Sequence, residues 1–194
     1  ATSYQSVSNL NMNYKILPWL GFTGFAGLDF SDNRDENNRP STIPVFASYG
    51  GSSYFADRRI VNSNANANFN VNKKIFDVHT ISGILGYEYK KETQETNSAI
   101  GRGFPDPVLR YLQNAAVPFD VGGFYTEYIR SGFFGQAKYD YDDKYNFDLT
   151  IRRDGSSRFG SNSRWGTFGA VSAGWRISSE PFMRNTDWVD NLRL

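Results

Sequence analysis

Asparagine occupies every second position from Asn62 to Asn72, and Ser63, Ala65, Ala67, Phe69 and Val71 fill the places between. A period of two over this length sets all the amides on one face of a β-strand and the small or apolar groups on the other. A soluble sheet normally hides its apolar face and shows charge to water, but this polar face is uncharged amide. Such a strand fits a wall between a wet lumen and a lipid or protein layer. Taken alone, it fits an Asn-rich surface strand of a soluble sandwich as well.

The same alternation recurs along the chain. Leu10, Met12, Tyr14 and Ile16 oppose Asn9, Asn11, Asn13 and Lys15 within Tyr4 to Ile16, and Leu20 to Phe30 carries Leu20, Phe22, Ala26, Leu28 and Phe30 on one side. Within His79 to Tyr89, Ile81, Gly83, Leu85, Tyr87 and Tyr89 oppose Thr80, Ser82 and Glu88, with Lys90 next in phase. Ile129 to Tyr141 sets Phe133, Ala137, Tyr139 and Tyr141 against Arg130, Gln136, Lys138 and Asp140. Tyr145 to Arg153 sets Tyr145, Phe147, Leu149 and Ile151 against Asn146, Asp148, Thr150 and Arg152. Trp165 to Ile177 closes the series with Val171, Ala173, Trp175 and Ile177 against Ser172 and Arg176. The pattern predicts seven strands of about ten residues each, enough to cross a bilayer when tilted.

The connections sort by length. Leu17-Pro18-Trp19, Lys73-Lys74-Ile75 and Asp142-Asp143-Lys144 read as tight turns, and they alternate with long segments near Ser31 to Arg58, Glu92 to Glu127 and Asp154 to Arg164. Transmembrane barrels sort their connections in this way, with short periplasmic turns and long extracellular loops; a sandwich has no reason to. Aromatic residues make up 16% of the chain and gather near strand ends (Tyr14, Trp19, Phe76, Tyr139, Tyr141, Tyr145, Trp165, Trp175), where amphipathic rings form interfacial girdles. The mean hydropathy of −0.54 is compatible with a membrane wall, because half of each strand faces water. The absence of cysteine removes disulfides and thiolate metal sites, and a net charge of +1 gives no basis for a nucleic-acid partner.

The chain starts inside a strand pattern with no signal peptide, and Asp190 to Leu194 reads as the start of another strand. A bacterial barrel uses an even number of strands, and an open edge is not tolerated in lipid. Residues 1–194 are therefore expected to be a fragment of one transmembrane β-barrel domain.

One series of motifs names a family. Ser131 to Tyr145 (SGFFGQAKYDYDDKY) is followed by Arg152-Arg153-Asp154-Gly155-Ser156-Ser157-Arg158-Phe159-Gly160, then by Arg164-Trp165-Gly166 and Val171-Ser172-Ala173-Gly174-Trp175-Arg176-Ile177. In order and spacing this resembles the C-terminal half of the barrel in SusC/RagA-like TonB-dependent transporters. Gly86-Tyr87-Glu88-Tyr89 and the segment around Leu109 to Leu112 also fit. The resemblance implies an all-β fold: an arc of a 22-stranded antiparallel barrel in the outer membrane of a Gram-negative bacterium. It further implies import of oligosaccharides or peptides with a SusD-like surface lipoprotein as lid. TonB–ExbB–ExbD would act through an N-terminal plug, and the plug, the TonB box and the signal peptide are absent from these residues. Lipopolysaccharide and outer-membrane lipid would surround the wall. The rival readings are a passive porin-like barrel and a secreted β-rich glycan-binding module.

The candidate lumen-lining or substrate-binding residues are Asn62, Asn64, Asn66, Asn68, Arg130, Gln136, Lys138, Asp148, Arg152, Asp154 and Arg158. The loop from Arg153 to Gly160 has the donors to hold a carboxylate or phosphate, but it reads first as turn chemistry in which Asp154 pairs with Arg158 or Arg164. Asp32, Asp35 and Glu36 lack EF-hand spacing and read as a solvated loop. His79, the only histidine, reads as an interfacial ring; there is no nucleophile motif, so no catalytic residue, metal or cofactor is assigned. Asp106 and Pro107 suggest the cap and first position of a short helix reaching Leu112, either lining the entrance and touching the lid or packing the loop. Arg59, Lys91 and Arg153 follow outward parity, which suits contact with lipopolysaccharide phosphates or ordinary snorkelling.

Register follows from parity. Apolar residues sit at odd positions on both sides of Asp142-Asp143-Lys144, and directly opposed residues share a face. A three-residue turn then pairs Tyr141 with Tyr145, Tyr139 with Phe147, Lys138 with Asp148, Ala137 with Leu149, Gln136 with Thr150 and Phe134 with Arg152.

Overall fold

A computed structural model describes residues 1–184, 186 and 188–194. Seven antiparallel strands hydrogen-bond in sequence order: β1 (Thr2–Leu17), β2 (Leu20–Arg39), β3 (Ser52–Ile75), β4 (His79–Arg102), β5 (Val117–Tyr141), β6 (Tyr145–Ser156) and β7 (Trp165–Trp175). An up-and-down order needs only hairpins, so every strand pairs with the next one to emerge along the chain. One short helix, α1 (Pro44–Ala47), lies between β2 and β3.

Four strands run to about twice the length that the apolar alternation predicts: β2 has 20 residues, β3 and β4 have 24 each, and β5 has 25. Backbone N–H and C=O groups need partners whatever side chains they carry, so the ladders continue well past the apolar stretch. The long connections accordingly shrink to residues 40–51, 103–116 and 157–164.

Two of the three predicted turns fall where expected, at Pro18-Trp19 and at Asp142-Asp143-Lys144. The middle one lies three residues later, at Phe76-Asp77-Val78, while Lys73, Lys74 and Ile75 stay in β3. Phe76 and Asp77 adopt φ of 50° and 59°, and Asp142 and Asp143 both adopt 53°. Left-handed conformations of this kind let a short turn match the twist of its strands. The predicted helix from Asp106 to Leu112 does not form. Asp106 Oδ1 does accept the Val108 N–H at 2.8 Å, a cap-like contact, but the chain continues as a turn and only Leu112–Asn114 is helical, as a single 3₁₀ turn. At the other end β7 stops at Trp175, and Ile177 begins a 3₁₀ turn. The terminal residues do pair as a strand start would: Leu194 exchanges backbone bonds of 2.9 and 3.0 Å with Trp175.

The residues fall into two compact units. The first comprises Ala1–Ser8, Gly27–Ser63 and Lys91–Tyr128; the second comprises Asn9–Ala26, Asn64–Lys90 and Ile129–Leu194. Strands β1 to β5 contribute to both, whereas β6 and β7 belong wholly to the second.

Burial is inverted relative to a soluble sheet. Among the described residues no apolar side chain is buried. Along β5 and β6 the odd-numbered Phe133, Tyr139, Tyr141, Tyr145, Phe147, Leu149 and Ile151 are exposed, while the even-numbered Phe134, Gln136, Asp148, Thr150, Arg152 and Asp154 are half-buried. A face of Phe, Tyr, Leu and Ile left uncovered is a face made for an apolar surrounding.

Candidate functional site

The register of β5 with β6 is the one parity dictates: Tyr141 opposes Tyr145, Lys138 opposes Asp148, Gln136 opposes Thr150 and Phe134 opposes Arg152. On the polar face of the second unit this brings two clusters together. In the first, Gln136 Nε2 donates to both carboxylate oxygens of Asp148 at 3.1 Å, and Lys138 Nζ lies 3.2 Å from Asp148 Oδ2. Thr150 Oγ1 completes the set at 3.4 Å from Asp148 Oδ1.

The second cluster centres on Arg152. Its Nε donates to both oxygens of Asp154, at 2.9 and 2.7 Å, and its Nη2 pairs with Glu88 of β4. To reach β4 the guanidinium passes the Phe134 ring of β5, with 5.9 Å from Cζ to the centroid. The two strands lie two spacings apart, roughly 10 Å, and the arginine and glutamate side chains close that gap together. Glycines clear the space. A Cβ on Gly86 would collide with the Phe134 ring, and one on Gly132 would collide with the Asp154 carboxylate. Asp154 is thus held by Arg152 of its own strand.

The remaining candidates lie as follows. Asn64, Asn66 and Arg130 line one cavity of about 210 Å³ in the second unit. Asn68 lies beside Gly86. Arg158 sits in the turn after β6, where its backbone N–H donates to Ser156 Oγ at 3.3 Å. Asn62 belongs to the first unit, and its amide oxygen is buried without a hydrogen-bond partner.

In the first unit several aromatic rings are engaged by cations. Arg102 lies between Tyr49, 4.5 Å away, and Phe119, 3.2 Å away, and Arg34 covers Phe55 at 5.0 Å. Arg59 pairs with Asp32 at 3.3 Å, and Lys91 pairs with Glu127 at 2.9 Å. Arg153, in the second unit, covers the Trp165 ring at 5.5 Å. Among the described residues no group of three or more His, Cys, Asp or Glu is placed to hold a metal ion; Asp32 and Glu36 instead meet Arg59 and Arg34.

A row of rings crosses the turn end of the second unit. His79 packs 5.0 Å from Tyr141, Tyr141 lies 6.2 Å from Tyr145, and Tyr145 lies 6.4 Å from Trp175. His79 Nδ1 also meets the Tyr139 hydroxyl at 2.7 Å, which suits the ring expected there from the sequence. Glu180 clamps the row. Its Oε1 accepts from the Tyr145 hydroxyl at 2.5 Å and from Trp175 Nε1 at 3.0 Å, and these bonds hold the carboxyl below its usual value of 4.5. A depressed carboxyl stabilises the folded form above the unfolded value, and that contribution fades as pH falls through the folded value. Titrating the folded protein below pH 4.5 should therefore shift tryptophan emission in the wild type and leave Glu180→Gln flat over the same range. Equal titrations in both would dismiss the clamp.

No family model matches the chain. Comparison with individual proteins does find relatives. TonB-dependent receptor P39 of Formosa agariphila is 34% identical over 129 residues, covering 65% of this chain and 12% of the receptor. TonB-dependent receptor SusC of Bacteroides thetaiotaomicron is 25% identical over 199 aligned positions, covering all of this chain and 19% of SusC. The RagAB peptide importer in its 'closed-closed' state superposes with a TM-score of 0.86 at 25% identity, over 98% of this chain and 21% of that one. The fold matches an arc of a SusC/RagA-like TonB-dependent barrel.

The chain spans less than a fifth of the curated relatives it matches. Within that arc, sequence reasoning found the Lys138–Asp148 pair and the Arg152–Phe134 contact but missed two features. The Glu88–Arg152 bond joins strands that are not neighbours, so hairpin arithmetic does not reach it. The Glu180 clamp comes from the irregular segment after β7, where no periodicity applies.

Proposed function

We propose that this arc belongs to the wall of an outer-membrane importer that takes up oligosaccharides or peptides by TonB-dependent transport. The observation that carries the reading is the inverted burial: large apolar side chains are exposed on one face, while the opposite face holds half-buried amides and ion pairs. A wall of this kind has lipid outside and a polar path inside. Residues 1–194 then form part of one barrel domain. Asn62, Asn64, Asn66, Asn68, Arg130, Gln136, Lys138, Asp148, Arg152 and Asp154 line the lumen, and Arg158 lies at the external end. A Gram-negative outer membrane is the matching location, with Arg59, Lys91 and Arg153 near lipopolysaccharide phosphates. The likeness to a peptide importer supports peptide cargo, and the likeness to SusC supports a lipoprotein lid.

Uptake by cells expressing the full-length protein tests the reading. Cells are offered a labelled mixture of short peptides and maltooligosaccharides, with TonB present or depleted. Uptake of at least one class should vanish on depletion, and the protein should leave the membrane in detergent with a lipoprotein bound. Uptake that survives depletion would point to a passive barrel. Recovery of the protein from the soluble fraction would point to a secreted glycan-binding module.

A further inference from the structure

On the polar face of the second unit some cations are neutralised within the face and others are not. Lys138 has Asp148, Lys144 has Asp142 and Arg152 has Glu88 and Asp154. Lys90 of β4 and Arg130 of β5 have no ion-pair partner among the described residues, yet they line the same cavity of about 210 Å³. Asn64 and Asn66 of β3 and Phe25 of β2 also line that cavity, beside Ala65 and Tyr89, and Glu88 is the one anion at its edge. Glu88 is already engaged by Arg152, so the cavity keeps its positive charge.

We propose that Lys90 and Arg130 form a carboxylate-binding subsite on this face. A guanidinium offers two parallel N–H donors at the spacing of the two oxygens of a carboxylate, and an ammonium beside it adds a point charge. The Asn64 and Asn66 amides can each donate to an oxygen that the cations leave open, and the Phe25 ring offers an apolar wall to the carbon chain behind the acid. Glu88 at the edge disfavours a doubly charged group such as phosphate, because like charges close together repel. The alternation favours the same grouping: Asn64, Asn66, Lys90 and Arg130 all fall on the polar phase of their strands. The carboxylate has two possible sources, an acidic solute in the lumen or an acidic side chain elsewhere in the full-length protein. The first source rests on the transport reading above, and the test below separates the two.

Full-length protein in detergent is titrated with acetyl-triglutamate amide and with acetyl-triglutamine amide, and the melting temperature is recorded alongside. The variants are Lys90→Gln/Arg130→Gln, Arg130→Lys, and Lys15→Gln as a cation on the polar phase of β1. A solute site predicts that the wild type and Lys15→Gln bind the acidic peptide about tenfold more tightly than the neutral one. The double variant should lose that preference, and added salt should weaken it in the wild type. An internal carboxylate predicts no peptide preference in the wild type. It predicts instead a lower melting temperature for the double variant than for Lys15→Gln, largely restored in Arg130→Lys. No preference together with unchanged melting overturns the proposal. Binding is read here without transport, so a protein that fails to import still gives a decisive answer.

Discussion

Leu149→Arg in the full-length protein should sharply reduce the amount of folded barrel recovered from the membrane, while Thr150→Arg one residue away should be tolerated. Leu149 is 43% exposed and sits between Ala137 of β5 and Val171 of β7, on the face that carries Phe147 and Ile151. An arginine on a lipid-facing position near the midplane costs about 2–4 kcal/mol, falling toward the interfaces. Thr150 lies between Gln136 and Ala170 on the opposite face, with its hydroxyl 3.4 Å from Asp148, so a new cation there meets water and a carboxylate. Urea titration of the protein folded into phosphocholine vesicles measures the difference. Comparable losses at both positions would mean that the two faces are not lipid and lumen.

Arg152→Met should destabilise the barrel by about 1–2 kcal/mol, because it leaves two carboxylates facing each other across β5. The arginine is 37% exposed, Glu88 31% and Asp154 29%, so water softens the loss below that of a fully buried pair. Arg152→Lys should recover only part, since an ammonium cannot span Asp154 and Glu88 with separate donors. Adding Glu88→Gln to Arg152→Met should return part of the loss by removing one orphaned charge. Independent, additive effects would show that the bridge contributes nothing.

What the sequence made legible is whatever depends on parity. Strand number, the face of each side chain and the β5–β6 register all follow from alternation and one turn length, and Lys138 meets Asp148 as that arithmetic requires. Strand length was not legible, because the extra residues of β3 and β4 satisfy backbone bonds without keeping an apolar phase. The turn at Phe76 was misplaced because two lysines look like turn residues, while a phenylalanine at positive φ does not. Asp106 gave a true local signal in its bond to the Val108 N–H, but one cap cannot sustain a helix when the residues after it do not continue the hydrogen bonding. The Arg152–Glu88 bridge needed the coordinates, since no pairwise rule predicts a side chain that crosses an intervening strand.

The absence of a buried apolar core among the described residues bears on how such a chain drifts over evolutionary time. In a soluble protein each interior side chain must fit its neighbours, and that jigsaw restrains substitution. In the proposed setting the apolar residues meet a fluid that reshapes itself around any of them, so Leu, Ile, Val and Phe become nearly interchangeable on that face. The restraint moves to other places: glycines that make room for Phe134 and Asp154, turn residues at positive φ, and the rings clamped by Glu180. This explains how a backbone can superpose with a TM-score of 0.86 on a chain with which it shares 25% of its residues. Divergence is permitted wherever the solvent is lipid and arrested where one strand must accommodate the side chain of another.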